Sequence, residues 1–162
     1  AKGGVGVINV GILPVVNVDP SLHNQIGISR DDHVPGLREL VKIIHDNGSK
    51  AFAQLGLEHY WRKGDGPSEL VGASSVPAHP KRPAPRAMTL DDIHQMTQDF
   101  AEAGRRAKEA GFDGVEIHMG TGFILSLFSM WERSSSAPSK EQEILVQTWT
   151  RYLPCGFFKN IV

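Results

Sequence analysis

Two polar residues stand where an α/β chain does its chemistry. Gln54 falls within the short apolar run Lys50–Leu55, and His118 closes Gly114–His118. In parallel α/β folds, ligands gather beyond the carboxyl ends of the strands. Gln54 reads two ways: an amide presented to a flat heterocycle, or a side chain that satisfies nearby backbone. His118 reads as a ligand contact or as a histidine hydrogen-bonded to backbone. Gly11, opening the loop that runs to Gly27, and Gly56 to Arg62 complete the segments at this end. The turn His118-Met119-Gly120-Thr121-Gly122 has the position of an anion-binding turn, but no helix is expected to open behind it. A helix N-terminus is what would hold a phosphate there.

Other chemistries lack their residues. Gly3-Gly4-Val5-Gly6 is glycine-rich but precedes its strand, whereas a dinucleotide fingerprint follows the strand and opens a helix. His23, His33, His45, His59, His79 and His94 are scattered, with no zinc-ligand spacing, so no metal is expected. The lone Cys155 excludes an intramolecular disulfide framework. No Gly-x-Ser-x-Gly turn points to a hydrolase.

The elements that must position Gln54 and His118 alternate along the chain. Gly3 to Val10 reads as a glycine approach to a strand buried on both faces. Pro35 opens a helix whose Leu37, Leu40, Val41 and Ile44 share one stripe, and Asn47-Gly48 stops it. Lys50–Leu55 is the second strand. Thr89 caps a second helix with Asp91 and Asp92 in its first turn. Leu90, Ile93, Met96, Phe100, Ala103 and Ala107 make its apolar face, and Gly111 ends it. Gly114–His118 is the third strand. This order predicts right-handed crossovers and a parallel sheet. Between them, Leu57 to Met88 reads as a long loop with a short strand within Val71 to Val76. Its Lys81–Arg86 stretch reads as an exposed basic linker, a phosphate or carboxylate contact being the alternative. Ser139-Lys140-Glu141-Gln142 resembles a capping box for a last helix bearing Ile144, Leu145, Trp149 and Tyr152.

Composition limits the partners. The 162 residues are 40% hydrophobic and 22% charged, with a formal net charge of −1. That is ordinary for one globular domain and offers no electrostatic reason for a nucleic-acid or acidic-membrane partner. No apolar run nears the ~20 residues of a membrane span, and a cytoplasmic location is expected. The start at Ala1, close to a strand, suggests a piece of something longer.

Several segments, taken in order, resemble one family. They are Ala1-Lys2-Gly3-Gly4-Val5-Gly6-Val7-Ile8, Pro35-Gly36-Leu37, Phe52-Ala53-Gln54-Leu55 and Gly72-Ala73-Ser74-Ser75-Val76-Pro77. Met88-Thr89, Asp99-Phe100-Ala101, the block from Arg105 to His118, and Gly122-Phe123 follow. Together they resemble the Old Yellow Enzymes, the NADH:flavin oxidoreductases, from Ala1 to about Phe128. The resemblance implies a TIM (β/α)8 barrel that binds FMN and reduces activated alkenes with hydride from NADH or NADPH. The substrate would be a small enone or quinone. The three strands would be the second to fourth of eight. Gln54 then matches the glutamine that bonds the flavin pyrimidine, and Gly11 lies at the same cofactor-binding end. His118 matches the first residue of a His-x-x-His/Asn pair that grips the substrate carbonyl. His59-Tyr60-Trp61-Arg62 is similar to a His-x-Gly-Arg segment, with a two-residue insertion.

This sequence departs from that pattern in places. Thr121 stands at the second position of the pair, and Phe123 where the family usually has the proton-donating Tyr. Leu127 replaces a common Gln. Ser129-Met130-Trp131-Glu132-Arg133 replaces the family's continuation. Residues 1–128 are therefore expected to be part of a flavin-oxidoreductase barrel and 129–162 a divergent tail. A whole barrel takes roughly 250 residues, and the resemblance puts the FMN-phosphate loops after strands seven and eight, outside this chain. The alternative is a non-catalytic fragment with little flavin affinity. Its open sheet edges and one bare apolar face would pair with a partner or a second copy. Another phosphate-binding barrel enzyme, an aldolase or isomerase, would want Lys or Glu in place of Gln54 or His118.

Overall fold

The computed structural model describes residues 1–16, 26–57, 60–62, 69–77, 83–120 and 123–128. In chain order they form β1 (Val7–Pro14), α1 (Val34–Asp46), β2 (Lys50–Gly56), β3 (Tyr60–Arg62), β4 (Glu69–Gly72), β5 (Arg86–Ala87), α2 (Leu90–Ala110) and β6 (Gly114–Ile117). Two compact units result. One takes in the described residues of Ala1–Gly56 and Asp99–His118, the other those of Leu57–Gln98 and from Met119 on.

The first unit holds a parallel sheet in the order β1-β2-β6. Strand alternation sorts its side chains. Ala51, Ala53 and Leu55 are fully buried on one face, the side of the α1 stripe Val34, Leu37, Val41 and Ile44. Leu40 is half-buried at the edge of that stripe. Gly48 and Gly111 end the two helices at φ +82° and +92°, the left-handed conformation that glycine adopts at least cost. The opposite face carries Asn9, Phe52, Gln54 and Glu116, all half-buried or exposed. The bare face expected to be apolar is thus largely polar.

The amino ends of the strands are tied by Asp113. Its carboxylate accepts from Lys50 Nζ at 2.7 Å and from the Ala51 backbone N–H at 2.9 Å. It lies 2.7 Å from His45 Nε2 at the end of α1. Asp31 accepts from Arg105 at 2.6 Å and Arg106 at 2.7 Å, linking the 3-10 turn before α1 to α2.

β1 corrects the expected first strand in two respects. It starts later and runs to Pro14, so Gly11 lies inside the strand rather than opening a loop. It is also not buried on both faces: Val7 is 51% exposed, and only Leu13 and Pro14 are buried. Among the described residues β1 is an edge of its sheet, with no strand paired on its outer side.

The second unit overturns the loop expected over Leu57–Met88. β3 pairs antiparallel with β4, and β4 pairs parallel with β5. The short strand expected within Val71–Val76 sits earlier, at Glu69–Gly72. Thr89 caps α2 as expected. Its Oγ1 accepts from the Asp92 N–H at 3.2 Å, and its own N–H donates to Asp92 Oδ2 at 2.8 Å. Leu90, expected on the apolar face, is 37% exposed, while Ile93 and Met96 are fully buried. Arg86 is no linker residue. It donates to Glu69 Oε1 and to the fully buried Asp92 Oδ2, each at 2.9 Å.

Residues 124–128 are helical, where no helix was expected. The Leu127 N–H donates to the Phe123 carbonyl at 3.1 Å. The expected tail helix, Cys155, His23, His59, His79, Lys81, Arg82 and Thr121 lie outside the described residues.

Candidate active site

The site is built on the polar face of the parallel sheet, at the carboxyl ends of its strands. Val10 pairs with Ala53 and Leu13 with Leu55, so Gly11 and Ile12 together stand opposite the single Gln54. This is a β-bulge, a device that bends a strand and re-aims side chains beside active sites. It needs glycine. A Cβ on Gly11 would lie 2.7 Å from the Cβ of Gln54 and 2.7 Å from its carbonyl oxygen.

Gln54 faces Glu116 across the β2–β6 register. Its Nε2 donates to Glu116 Oε1 at 2.5 Å. Asn9 on β1 donates from Nδ2 to Glu116 Oε2 at 2.6 Å. One carboxylate therefore gathers amides from both other strands. The Gln54 bond, then the Asn9 bond, holds Glu116 below its ordinary carboxylate range against partial desolvation, and the His118 charge adds to this. Gln54 Oε1 takes no part in the Glu116 bond. It remains available to a donor on a ligand edge.

His118 extends β6 by one residue, and its backbone N–H donates to the Leu55 carbonyl at 2.8 Å. Strand alternation places it on the face of Glu116 and Gln54. Gly56 makes the room. A Cβ there would lie 3.1 Å from the Cβ of His118 and 2.8 Å from Cγ2 of Ile12. Gln54, Gly11 and His118 are thus brought to one end of one sheet face. Thr121 lies outside the described residues. Phe123 belongs to the second unit, where it is half-buried and its N–H donates to the Gly120 carbonyl at 3.1 Å. Glu116 and Asn9 went unnoticed in the sequence. The signal was available, since each is polar and lies two residues before His118 or Gly11, the spacing of a shared strand face.

Among the described residues, no group of three or more His, Cys, Asp or Glu is arranged to hold a metal ion. No described helix is long and apolar enough to cross a membrane.

Parallel strands joined through helices, with a polar cluster at their carboxyl ends, fit a segment of a TIM-barrel fold. A solved 2-naphthoyl-CoA reductase, in complex with 2-naphthoyl-CoA, shares this fold. Its TM-score is 0.71 at 24% identity, over 90% of this chain and 25% of that one. The chain belongs to the NADH:flavin oxidoreductase / NADH oxidase family, whose model matches residues 1–133, past Phe128. FMN and a nicotinamide nucleotide are the cofactors of that family. The chain is similar to an NADPH dehydrogenase of Geobacillus thermodenitrificans, at 38% identity over 128 residues. It is similar to one of Listeria monocytogenes at 37%. Each alignment covers 79% of this chain and 37% of the relative, so the chain spans little more than a third of their length.

Proposed function

We propose that this chain supplies one side of the site of an FMN-dependent oxidoreductase that reduces activated alkenes, such as enones, or quinones, with hydride from NADH or NADPH. The observation that carries it is the shared position of Gln54 and His118 at the carboxyl ends of neighbouring parallel strands. The residues fit the cofactor at one edge. The Gln54 amide, bonded through Nε2 to Glu116, leaves Oε1 to accept from the N–H of a flavin pyrimidine. When bound, FMN supplies the hydride. His118 grips the substrate carbonyl oxygen, and the family pattern sets Thr121 at the sequence position of the second donor. Two donors there stabilise the enolate-like charge that develops as the β-carbon is reduced. The α-carbon then needs a proton. Phe123 has none to give, so water or another group supplies it.

Residues 1–128 form the barrel portion in this proposal, 129–162 the divergent tail, and the location is cytoplasmic. A second reading is favoured by Phe123 and by β1 and β6 standing at the edges of their sheet. It makes the chain a non-catalytic, self-associating partner with little flavin affinity.

Titration of FMN against the purified chain, followed by flavin fluorescence, tests the first reading. We expect saturable binding weaker than about 1 μM, roughly 8 kcal/mol, and weaker still in Gln54→Ala. Absence of any saturable binding, together with self-association in sedimentation, supports the second reading. Binding that ignores Gln54→Ala removes Gln54 from the site.

A further inference from the structure

We infer that Glu116 is a positioning residue that sets the sense of the Gln54 amide, and so selects ligand rings whose edge offers an N–H beside a C=O. A glutamine amide has two ends of similar shape and opposite function, one an acceptor and one a donor of two hydrogens. Nothing in an isolated strand decides which end faces a ligand. Here Glu116 Oε1 lies 2.5 Å from the Gln54 nitrogen. Turning the amide over would set Gln54 Oε1 against a carboxylate, two acceptors with no proton between them. Glu116 is itself held by Asn9, 2.6 Å from its other oxygen. Each carboxylate oxygen thus has its own amide donor, from a different strand.

The consequence is a recognition edge. With one amide hydrogen given to Glu116, Gln54 keeps its carbonyl oxygen and one N–H. That acceptor–donor pair is complementary to a cyclic imide, in which an N–H adjoins a C=O. It is mismatched to a ring whose edge nitrogen is alkylated. Charge-assisted bonds such as the Glu116–Gln54 contact are shorter and roughly twice as strong as neutral ones. The ligand half of this inference rests on Gln54 reading a flavin edge, as proposed above. The Glu116–Gln54 half does not.

The experiment has one arm for each half. In the first, the full 162-residue chain is labelled with 15N and the Gln54 side-chain amide resonances are followed in wild type and in Glu116→Gln, with no flavin present. Loss of a charge-assisted bond should speed hydrogen exchange of that amide about tenfold. Asn9→Ser, which removes the other anchor and leaves the carboxylate, should give a smaller increase. It serves as the second variant if Glu116→Gln does not fold. In the second arm, FMN is compared with FMN methylated at the imide nitrogen. Wild type should favour FMN by about tenfold, and Glu116→Gln should bring the ratio within about threefold. Unchanged Gln54 resonances in both variants overturn the positioning role. A changed amide with an unchanged FMN preference overturns the imide selection. A preference that survives Gln54→Ala sinks the flavin-edge reading itself while leaving the first arm to stand on its own result.

Discussion

Gly11 and Gln54 approach so closely that a Cβ on the glycine would lie 2.7 Å from the glutamine Cβ. The bulge in β1 exists at a cost in ladder regularity, and it brings backbone against the base of a functional side chain. Gly11→Ala should therefore displace the strand or the glutamine. Overpacking of this kind costs about 1–3 kcal/mol. Urea unfolding of the chain should show the lowered midpoint with the slope unchanged. A midpoint equal to wild type would mean that the bulge has room that its geometry denies.

Asp92 is fully buried and accepts from Arg86 at 2.9 Å and from the Thr89 N–H and hydroxyl, each at 2.8 Å. Burial pushes its pKa up, but the Arg86 and Thr89 bonds outweigh this and hold it well below the usual carboxylate range. Asp92→Ala removes the acceptor of the Thr89 N–H at the start of α2 and leaves the Arg86 guanidinium without its buried partner. The loss should be about 3 kcal/mol, the low end for breaking a buried pair, because Arg86 reaches solvent. Arg86→Ala should cost a similar amount and the double variant much less than the sum. Simple additivity in that cycle would show that the two groups do not act through each other.

Asp113 gives the fold an acid-sensitive tie. The Lys50 ammonium, then the Ala51 N–H and His45, hold its carboxyl well below the usual range against some desolvation. A depressed pKa contributes stability that is fully present above the unfolded-state value, near 3.9. That contribution is lost as pH falls through the folded-state value. Asp113→Asn should thus be less stable than wild type at pH 7. The gap should shrink as pH drops below about 4. Thermal melts of both proteins from pH 7 to pH 3 check this, and a gap that widens in acid would reverse the sign argued here.

His118 and Phe123 are best tested in a protein extended to the length of the relatives. His118→Ala should weaken phenolic ligands by one charge-assisted hydrogen bond, about 1.5–3 kcal/mol. Unchanged affinity would return His118 to a backbone-bonding role. Phe123→Tyr should restore a proton donor. General acid help is worth about 10²–10⁴-fold, so enone reduction should accelerate far more than quinone reduction, which needs no carbon protonation. Stopped-flow turnover with both substrates decides it. An enone rate within about threefold of the Phe123 protein would place the proton source elsewhere.

The alternation of strand and helix was legible in the residues, as were the stops at Gly48 and Gly111, the Thr89 cap and the strand-end positions of Gln54 and His118. These are local properties. They depend on a period of 2 or 3.6 residues, or on one glycine or threonine at a terminus. The family resemblance was legible for the same reason, because its motifs are short and contiguous. The bulge at Gly11, the second sheet and the bridge from Asn9 through Glu116 to Gln54 came from tertiary structure alone. Strands of two to four residues, such as β3, β4 and β5, are too short to show a period. The two bonds to Glu116 span 107 and 62 residues of sequence, and Arg86 meets Glu69 across 17. Only the pairing register sets Glu116 opposite Gln54, and a slip of one residue would turn it to the buried face.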